Sequence, residues 1–176
     1  MNSRLRKTVY AALFLALGLV LPFLTAQIPE IGNMLLPMHL PVMLCGLVCG
    51  PLYGGLVGAV TPLFRSLLFG MPVFYPNALG MAFELLTYGA VIGILYRMYR
   101  KKNLLTLYGS LIPAMLAGRL VWGLAQTVLL SFSDKSFALA VFWTNGFANA
   151  LPGILLQLIL IPSLMILIQQ FQQKHR

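Results

Sequence analysis

Residues 8–27 read TVYAALFLALGLVLPFLTAQ and follow the basic run RLRK at residues 4–7. Twenty residues without a charged side chain are long enough to cross the hydrocarbon of a bilayer as one α-helix. The basic start resembles that of a signal peptide, but the apolar run is longer than usual and no small-x-small cleavage site follows it. The stretch therefore predicts a retained first transmembrane helix.

The composition of the whole chain indicates that its solvent is lipid. Of the 176 residues, 60% are hydrophobic and 9% are charged, and the mean hydropathy is +0.89. A soluble domain carries about 25% charged residues. A soluble enzyme, a nucleic-acid-binding module and a disordered tail are therefore excluded, although the net charge is +9.

Further apolar stretches predict an all-α integral membrane protein with six transmembrane helices, forming a single domain over residues 1–176. Glycine and proline interrupt the second and third stretches, where the ends of the helices are hardest to place. The predicted spans are residues 8–27, 34–50, a third ending near 70, 77–97, 105–130 and 137–169.

Basic residues are distributed unequally between the two ends of these spans. Nine lysines and arginines fall on the side that holds both termini, and one, Lys135, falls on the opposite side. Cytoplasmic loops are enriched in Lys and Arg, so both termini are predicted to be cytoplasmic (N-in and C-in). The nine residues are Arg4, Arg6, Lys7, Arg97, Arg100, Lys101, Lys102, Lys174 and Arg176.

The sequence contains no familiar catalytic motif. It has no Walker A motif, no H-E-x-x-H and no G-x-S-x-G, so it indicates neither a nucleotide-driven enzyme nor a hydrolase. Cys45 and Cys49 lie four apart in an apolar stretch, and we interpret them as packing residues, because a metal site would need more ligands. We expect no catalytic residue, metal or cofactor in this chain.

Three ionisable residues lie within predicted spans: Arg65, Glu84 and Arg119. A charge in the bilayer is costly unless it is paired or hydrated, so each is a candidate functional residue. Glu84 and Arg119 are predicted to form a structural ion pair. Arg65 is then expected to lack a protein partner. It either extends to the outer interface or binds a ligand carboxylate or phosphate.

Amphipathic side chains collect in the outer half of the predicted bundle. Asn145 and Asn149 share a helix face, and their amides need hydrogen-bond partners, which other helices or a polar ligand can supply. Aromatic residues such as Tyr75 and Trp143 are also typical of the interface belt. Besides Arg65, the candidate substrate-binding residues are His39, Tyr75, Asn77, Trp122, Trp143, Asn145 and Asn149.

Four stretches of the chain resemble the substrate-binding (S) subunits of energy-coupling factor (ECF) vitamin transporters. The first helix carries Ala12 and Ala16 in an Ala-x-x-x-Ala pattern, which allows another helix to approach closely. Residues 36–46 (LPMHLPVMLCG), 61–72 (TPLFRSLLFGMP) and 81–89 (MAFELLTYG) look like the branch that includes pantothenate-type members. The resemblance covers essentially the whole chain.

The resemblance implies a multi-pass subunit of an ABC importer in the bacterial cell membrane. Such a subunit binds a vitamin or its precursor near the outer face, under the loop between the first two helices. It docks through its first helix, here Ala12 and Ala16, onto a transmembrane coupling subunit. Two ATPase subunits use ATP to drive that module, so the chain itself is expected to need no cofactor and to bind no nucleic acid.

The identity of the ligand stays open at this point. Pantothenate fits Arg65 and the resemblance to its branch, whereas pyridoxine, a hydroxymethylpyrimidine or a queuosine precursor would suit the Trp, Asn and His residues. A stand-alone secondary carrier and an integral membrane enzyme are alternatives of other classes. Three features count against the carrier: the chain is short, it has no internal repeat, and its three acidic residues are few for coupling transport to ions.

Overall fold

A computed structural model describes residues 3–25, 28, 32, 34–131 and 143–174. The predicted all-α class is confirmed, since the described part contains no strand. Five of its helices are long and apolar enough to cross a bilayer, and a shorter apolar helix is the second in order. In chain order the helices are α1 (Ser3–Val20), α2 (His39–Cys49), α3 (Pro51–Phe69), α4 (Leu79–Met98), α5 (Leu104–Ser131) and α6 (Leu151–Lys174).

Proline and glycine set the ends of α1 and α3. The α-helix α1 ends at Val20 and continues as a 3₁₀ turn over Leu21–Thr25. Pro22 lies in this turn, and it has no N–H to continue the α-helical hydrogen bonds. Helix α3 ends at Phe69, and the next residue, Gly70, has a φ of 70° and donates its N–H to the carbonyl of Ser66. This left-handed glycine is a common helix stop.

The second helix is much shorter than the predicted span of residues 34–50. Helix α2 has eleven residues, so it is about 16 Å long and cannot cross a bilayer of about 30 Å by itself. It cannot extend toward the N-terminus because Leu36 has a φ of 51° and precedes Pro37. All of its residues except Leu40 and Val48 are buried, so α2 lies within the bundle.

The described part of the sixth predicted span contains a short helical turn and a long helix. The predicted start at residue 137 lies outside the described residues, which resume at Trp143. A π-helical turn over Thr144–Ala148 comes next, and α6 starts at Leu151. Pro152 at its second position suits a helix start, because the first N–H groups have no partner within the helix.

The outward faces of the helices carry many exposed apolar side chains, while several ionisable and amide side chains of the spans are buried inside. This arrangement is expected of a protein in lipid, where a charge is tolerated only in the interior of the bundle. Five outward residues are between 66% and 80% exposed: Leu52, Leu67, Leu105, Leu124 and Ile159. The buried polar residues include His39, Arg65, Glu84, Arg119, Gln126 and Gln157.

Glycines allow α3 and α4 to touch backbone to backbone. A Cβ atom on Gly58 would lie 2.2 Å from the carbonyl oxygen of Leu85, and one on Gly89 would lie 2.2 Å from that of Gly54. Small residues at a helix contact are typical of membrane proteins, because close packing there replaces the hydrophobic driving force.

We expect Gly58→Ala to lower the thermal unfolding midpoint in detergent. The added methyl group would meet the backbone of Leu85, and overpacking of this kind costs about 1–3 kcal/mol. Gly55→Ala is the matched control on the same helix, because its Cβ would be 3.5 Å from the nearest atom, on Ala90. Equal midpoints for the two variants would contradict the close contact.

Candidate substrate-binding site

One end of the bundle holds two adjacent cavities. Their linings come from the ends of α1, α3 and α5 and from the segments that precede or start α2, α4 and α6. Residues from α2, α3, α4 and α5, and from the segments beside α1 and α6, therefore meet here although they are distant in sequence. The two cavities share five lining residues: Leu36, His39, Pro72, Asn77 and Met81.

The first cavity is mainly apolar and has a volume of about 200 Å³. Arg65 and His39 are the ionisable side chains in its described lining. The other described residues that line it are Pro22, Ile28, Gly32, Leu36, Pro37, Met38, Met71, Pro72, Val73, Asn77 and Met81. An apolar pocket with a few polar groups is typical of a small-molecule site.

The second cavity has a volume of about 220 Å³ and is more polar. Glu84 and Arg119 line it, together with the side chains of Trp122, Gln126 and Asn149. These groups supply both hydrogen-bond donors and acceptors. The site therefore has an apolar part and a polar part side by side.

Glu84 is the centre of a buried polar cluster in the wall of the second cavity. Its Oε1 atom lies 2.8 Å from Nη1 of Arg119 and accepts a hydrogen bond of 3.1 Å from the hydroxyl of Tyr88. Nε2 of His39 lies 3.4 Å from the same oxygen. The structure thus brings together Glu84 and Arg119, the two residues predicted to pair, and adds Tyr88 and His39 to them.

Several polar atoms of this cluster have no hydrogen-bond partner among the described residues. They are Nδ1 of His39 and Nε and Nη2 of Arg119; Nε2 of His39 makes no hydrogen bond but lies 3.4 Å from Glu84. His39 is 1% exposed and Arg119 is 4% exposed. Buried polar groups are nearly always paired, so unpaired ones beside a cavity point to a binding function.

Arg65 does have a protein partner, so the expectation that it lacks one is wrong. Its Nη1 donates a 2.5 Å hydrogen bond to the carbonyl of Leu19, one of the last four carbonyls of α1, which have no partner within the helix. Its guanidinium also lies 4.9 Å from the ring centre of Phe23 and 5.4 Å from that of Phe69. Arg65 is 2% exposed, so it does not extend into solvent.

Some of the other predicted site residues line the cavities, and others do not. His39, Asn77, Trp122 and Asn149 line one or both of them. The described linings do not include Tyr75, whose hydroxyl donates to the carbonyl of Leu129. They also do not include Trp143, which is 66% exposed. The side chain of Asn145 lies outside the described part of the chain.

Two buried glutamines near the site were missed in the sequence. Gln126 is 4% exposed and lines the polar cavity. Gln157 is 1% exposed, and its Nε2 donates to the carbonyl of Leu36 over 3.5 Å. An amide within an apolar span was the signal that could have identified both, because amides in lipid need partners.

The outer face of α1 carries the predicted docking residues. Ala12 and Ala16 are exposed, while Ala11 and Phe14 on the opposite face are buried in the bundle. Larger apolar side chains surround the two alanines, with Leu13 at 55% exposed. Helix α1 therefore offers an apolar surface with two small residues in it.

The fold and the site define a class of protein: a multi-pass, all-α membrane protein with two adjacent cavities at one end. The chain matches the family described as "ECF transporter, substrate-specific component" over residues 6–165, and it belongs to that family. The family consists of transporter components rather than enzymes, and its members capture vitamin-type substrates. Comparison with curated proteins and with solved structures found no significant match.

Proposed function

We propose that this substrate-specific component captures a small anionic vitamin or vitamin precursor, for which pantothenate is the best candidate. The ligand enters the two cavities from the outer face of the cell membrane. The loaded subunit then docks through α1 onto a transmembrane coupling subunit, which two ATPase subunits drive, and releases the ligand inside. The nine-to-one distribution of basic residues supports this orientation.

The charge balance of the site is the observation that carries this proposal. Among the described residues Glu84 is the one acidic side chain, and it is paired with Arg119. Arg65 lines the apolar cavity and contacts a carbonyl and two aromatic rings. Its positive charge therefore has no anionic counterpart in this part of the chain, and a ligand carboxylate would balance it.

The chemistry of pantothenate matches the two parts of the site. The molecule has a carboxylate at one end, an amide and two hydroxyl groups toward the other, and a pair of methyl groups between the hydroxyls. The carboxylate suits Arg65. The methyl groups suit an apolar wall such as Met38 and Met81, and the oxygens suit the polar cavity with Gln126.

Arg65→Met is expected to weaken pantothenate binding by about 10- to 100-fold, because a hydrogen bond to a charged group contributes about 1.5–3 kcal/mol. Arg65→Lys keeps the charge but loses the planar fork, so its affinity should fall between those of the parent and Arg65→Met. Isothermal titration of the purified subunit measures both dissociation constants.

The control for this series is Arg97→Met, which removes an arginine at the other end of α4. Like Arg65, Arg97 donates to a backbone carbonyl, that of Cys49, at 3.0 Å. Arg97→Met should therefore bind pantothenate with the parental affinity. Parental affinity in Arg65→Met would exclude the carboxylate contact. It would leave Arg65 with the structural role of binding the end of α1.

A second ligand class is favoured by the aromatic and amide groups of the polar cavity. Trp122, Gln126 and Asn149 could bind the ring and hydroxyl groups of pyridoxine or a hydroxymethylpyrimidine. Competition titration with pantothenate, pyridoxine and hydroxymethylpyrimidine separates these ligands. Uptake by the subunit alone in proteoliposomes would instead support a stand-alone carrier.

A further inference from the structure

We propose that Arg119 is a ligand-binding residue as well as the partner of Glu84. One side of its guanidinium holds Glu84, and the other side binds an uncharged oxygen acceptor of the captured molecule, an amide carbonyl or a hydroxyl group. His39 contributes a second hydrogen-bonding group to the ligand beside Arg119. The inference rests on the proposed function, because it requires that the captured molecule enters the polar cavity.

The geometry of the guanidinium divides Arg119 into an occupied side and a vacant side. Its Nη1 lies 2.8 Å from Oε1 of Glu84, whereas Nε and Nη2 have no partner among the described residues. Nε and Nη2 together form the side edge of the guanidinium plane, which offers two parallel N–H donors. This edge belongs to a side chain that lines the polar cavity.

Burial makes the vacant edge significant. Arg119 is 4% exposed, and the atoms Nε and Nη2 are themselves buried. Buried donors without an acceptor are costly and rare in native structures, and each needs an explanation. A ligand oxygen in the adjacent cavity would accept from both.

The charges indicate an uncharged acceptor at this position. Glu84 already balances the charge of Arg119, whereas Arg65 has no acidic partner among the described side chains. A carboxylate is therefore better placed at Arg65, and the oxygen at Arg119 is a neutral one. The site would select a molecule with an anion at one end and neutral oxygens at the other.

His39 extends the same polar surface. Its ring lines both cavities, and its Nδ1 has no partner within the described part of the chain. The ring lies 5.3 Å from that of Tyr88, and its Nε2 lies on the Glu84 side, at 3.4 Å. His39 can therefore donate to, or accept from, a ligand hydroxyl beside Arg119.

Glu84 and Tyr88 act as positioning residues for Arg119. Glu84 holds Nη1, and the hydroxyl of Tyr88 holds Glu84 at 3.1 Å. Gly118, the neighbour of Arg119, makes room for the Tyr88 ring, since a Cβ there would lie 2.4 Å from it. This packing fixes the orientation of the guanidinium in the wall of the polar cavity.

Arg119→Lys tests the inference, because lysine keeps a charge for Glu84 but has no side edge. The probes are pantothenate and pantothenol, in which a hydroxymethyl group replaces the carboxylate. We expect Arg119→Lys to weaken the binding of both probes by the same factor, about tenfold or more. Arg65→Met should instead weaken pantothenate alone, and Arg97→Lys is the control that should bind both like the parent.

A second variant covers the case in which Arg119→Lys does not fold. The double variant Glu84→Gln with Arg119→Gln removes both charges together, so that neither is stranded. Its affinity for pantothenate and for pantothenol should fall by the same factor, whereas the control Arg97→Gln should bind both like the parent. Thermal midpoints of the ligand-free proteins establish that each variant is folded before it is titrated.

The remaining outcomes separate this inference from the proposed function. Tight binding of pantothenate by folded Arg119→Lys would overturn the inference and leave the proposed function standing. A loss confined to pantothenate would place the carboxylate at Arg119 and would also overturn it. If the parent binds pyridoxine and neither probe, the proposed ligand is wrong, and a similar loss of pyridoxine binding in Arg119→Lys supports the inference. A parent that binds none of the three compounds would overturn both.

Discussion

Glu84→Gln is expected to destabilise the ligand-free protein by about 3–5 kcal/mol, because it strands the charge of Arg119 in the interior. Arg119 is 4% exposed and lies 2.8 Å from Glu84. Arg119→Met should lower the stability by a similar amount, because it leaves Glu84 without its counter-charge. Thermal unfolding in detergent measures both, and the ligand must be absent because binding itself adds stability.

The double variant Glu84→Gln with Arg119→Met completes a thermodynamic cycle. We expect its loss to be smaller than the sum of the two single losses, as is usual for charges in contact. Tyr88→Phe is the reference, since it removes the hydroxyl that donates to Glu84 without removing a charge, and it should cost about 1 kcal/mol. Additive losses in the cycle would contradict a stabilising pair and leave Glu84 as a ligand-binding candidate.

Ala16→Leu and Ala12→Leu are expected to abolish ATP-driven uptake while the purified subunit still binds its ligand. Both alanines are exposed on α1, and a larger side chain there would keep a partner helix from approaching. The measurement is ATP-dependent uptake in proteoliposomes that contain the complete transporter, with ligand titration of the isolated subunit beside it.

The control for the docking prediction is Leu124→Phe, which adds bulk to an exposed position on α5. Leu124 is 68% exposed and lies on a different helix from the proposed docking surface, so uptake should continue. Parental uptake in both alanine variants would show that the coupling subunit does not dock at this part of α1.

The sequence predicted α3, α4 and α5 well because their ends carry local signals. Helix α3 ends at Phe69, directly before Gly70, and α5 occupies Leu104–Ser131, close to the predicted 105–130. The shortness of α2 was not predictable in the same way. Residues 34–38 are as apolar as the helix that follows, and the unusual backbone at Leu36 is a feature of the folded chain.

The sequence predicted several residues of the candidate site, but it predicted few of the contacts between them. Charged residues within apolar spans identified Arg65, Glu84 and Arg119, because lipid makes such residues costly. The hydrogen bond from Arg65 to Leu19 could not be foreseen, since it depends on how the end of α1 meets α3. Likewise, His39 reaches Glu84 across 45 positions of sequence, which no local pattern encodes.

Native mass spectrometry of the purified subunit tests the central claim most directly, because it detects whatever small molecule remains bound. The account predicts one bound molecule per subunit that carries a carboxylate, retained in Ala16→Leu and lost from Arg65→Met. A neutral or cationic molecule that Arg65→Met retains as well as the parent would contradict the account.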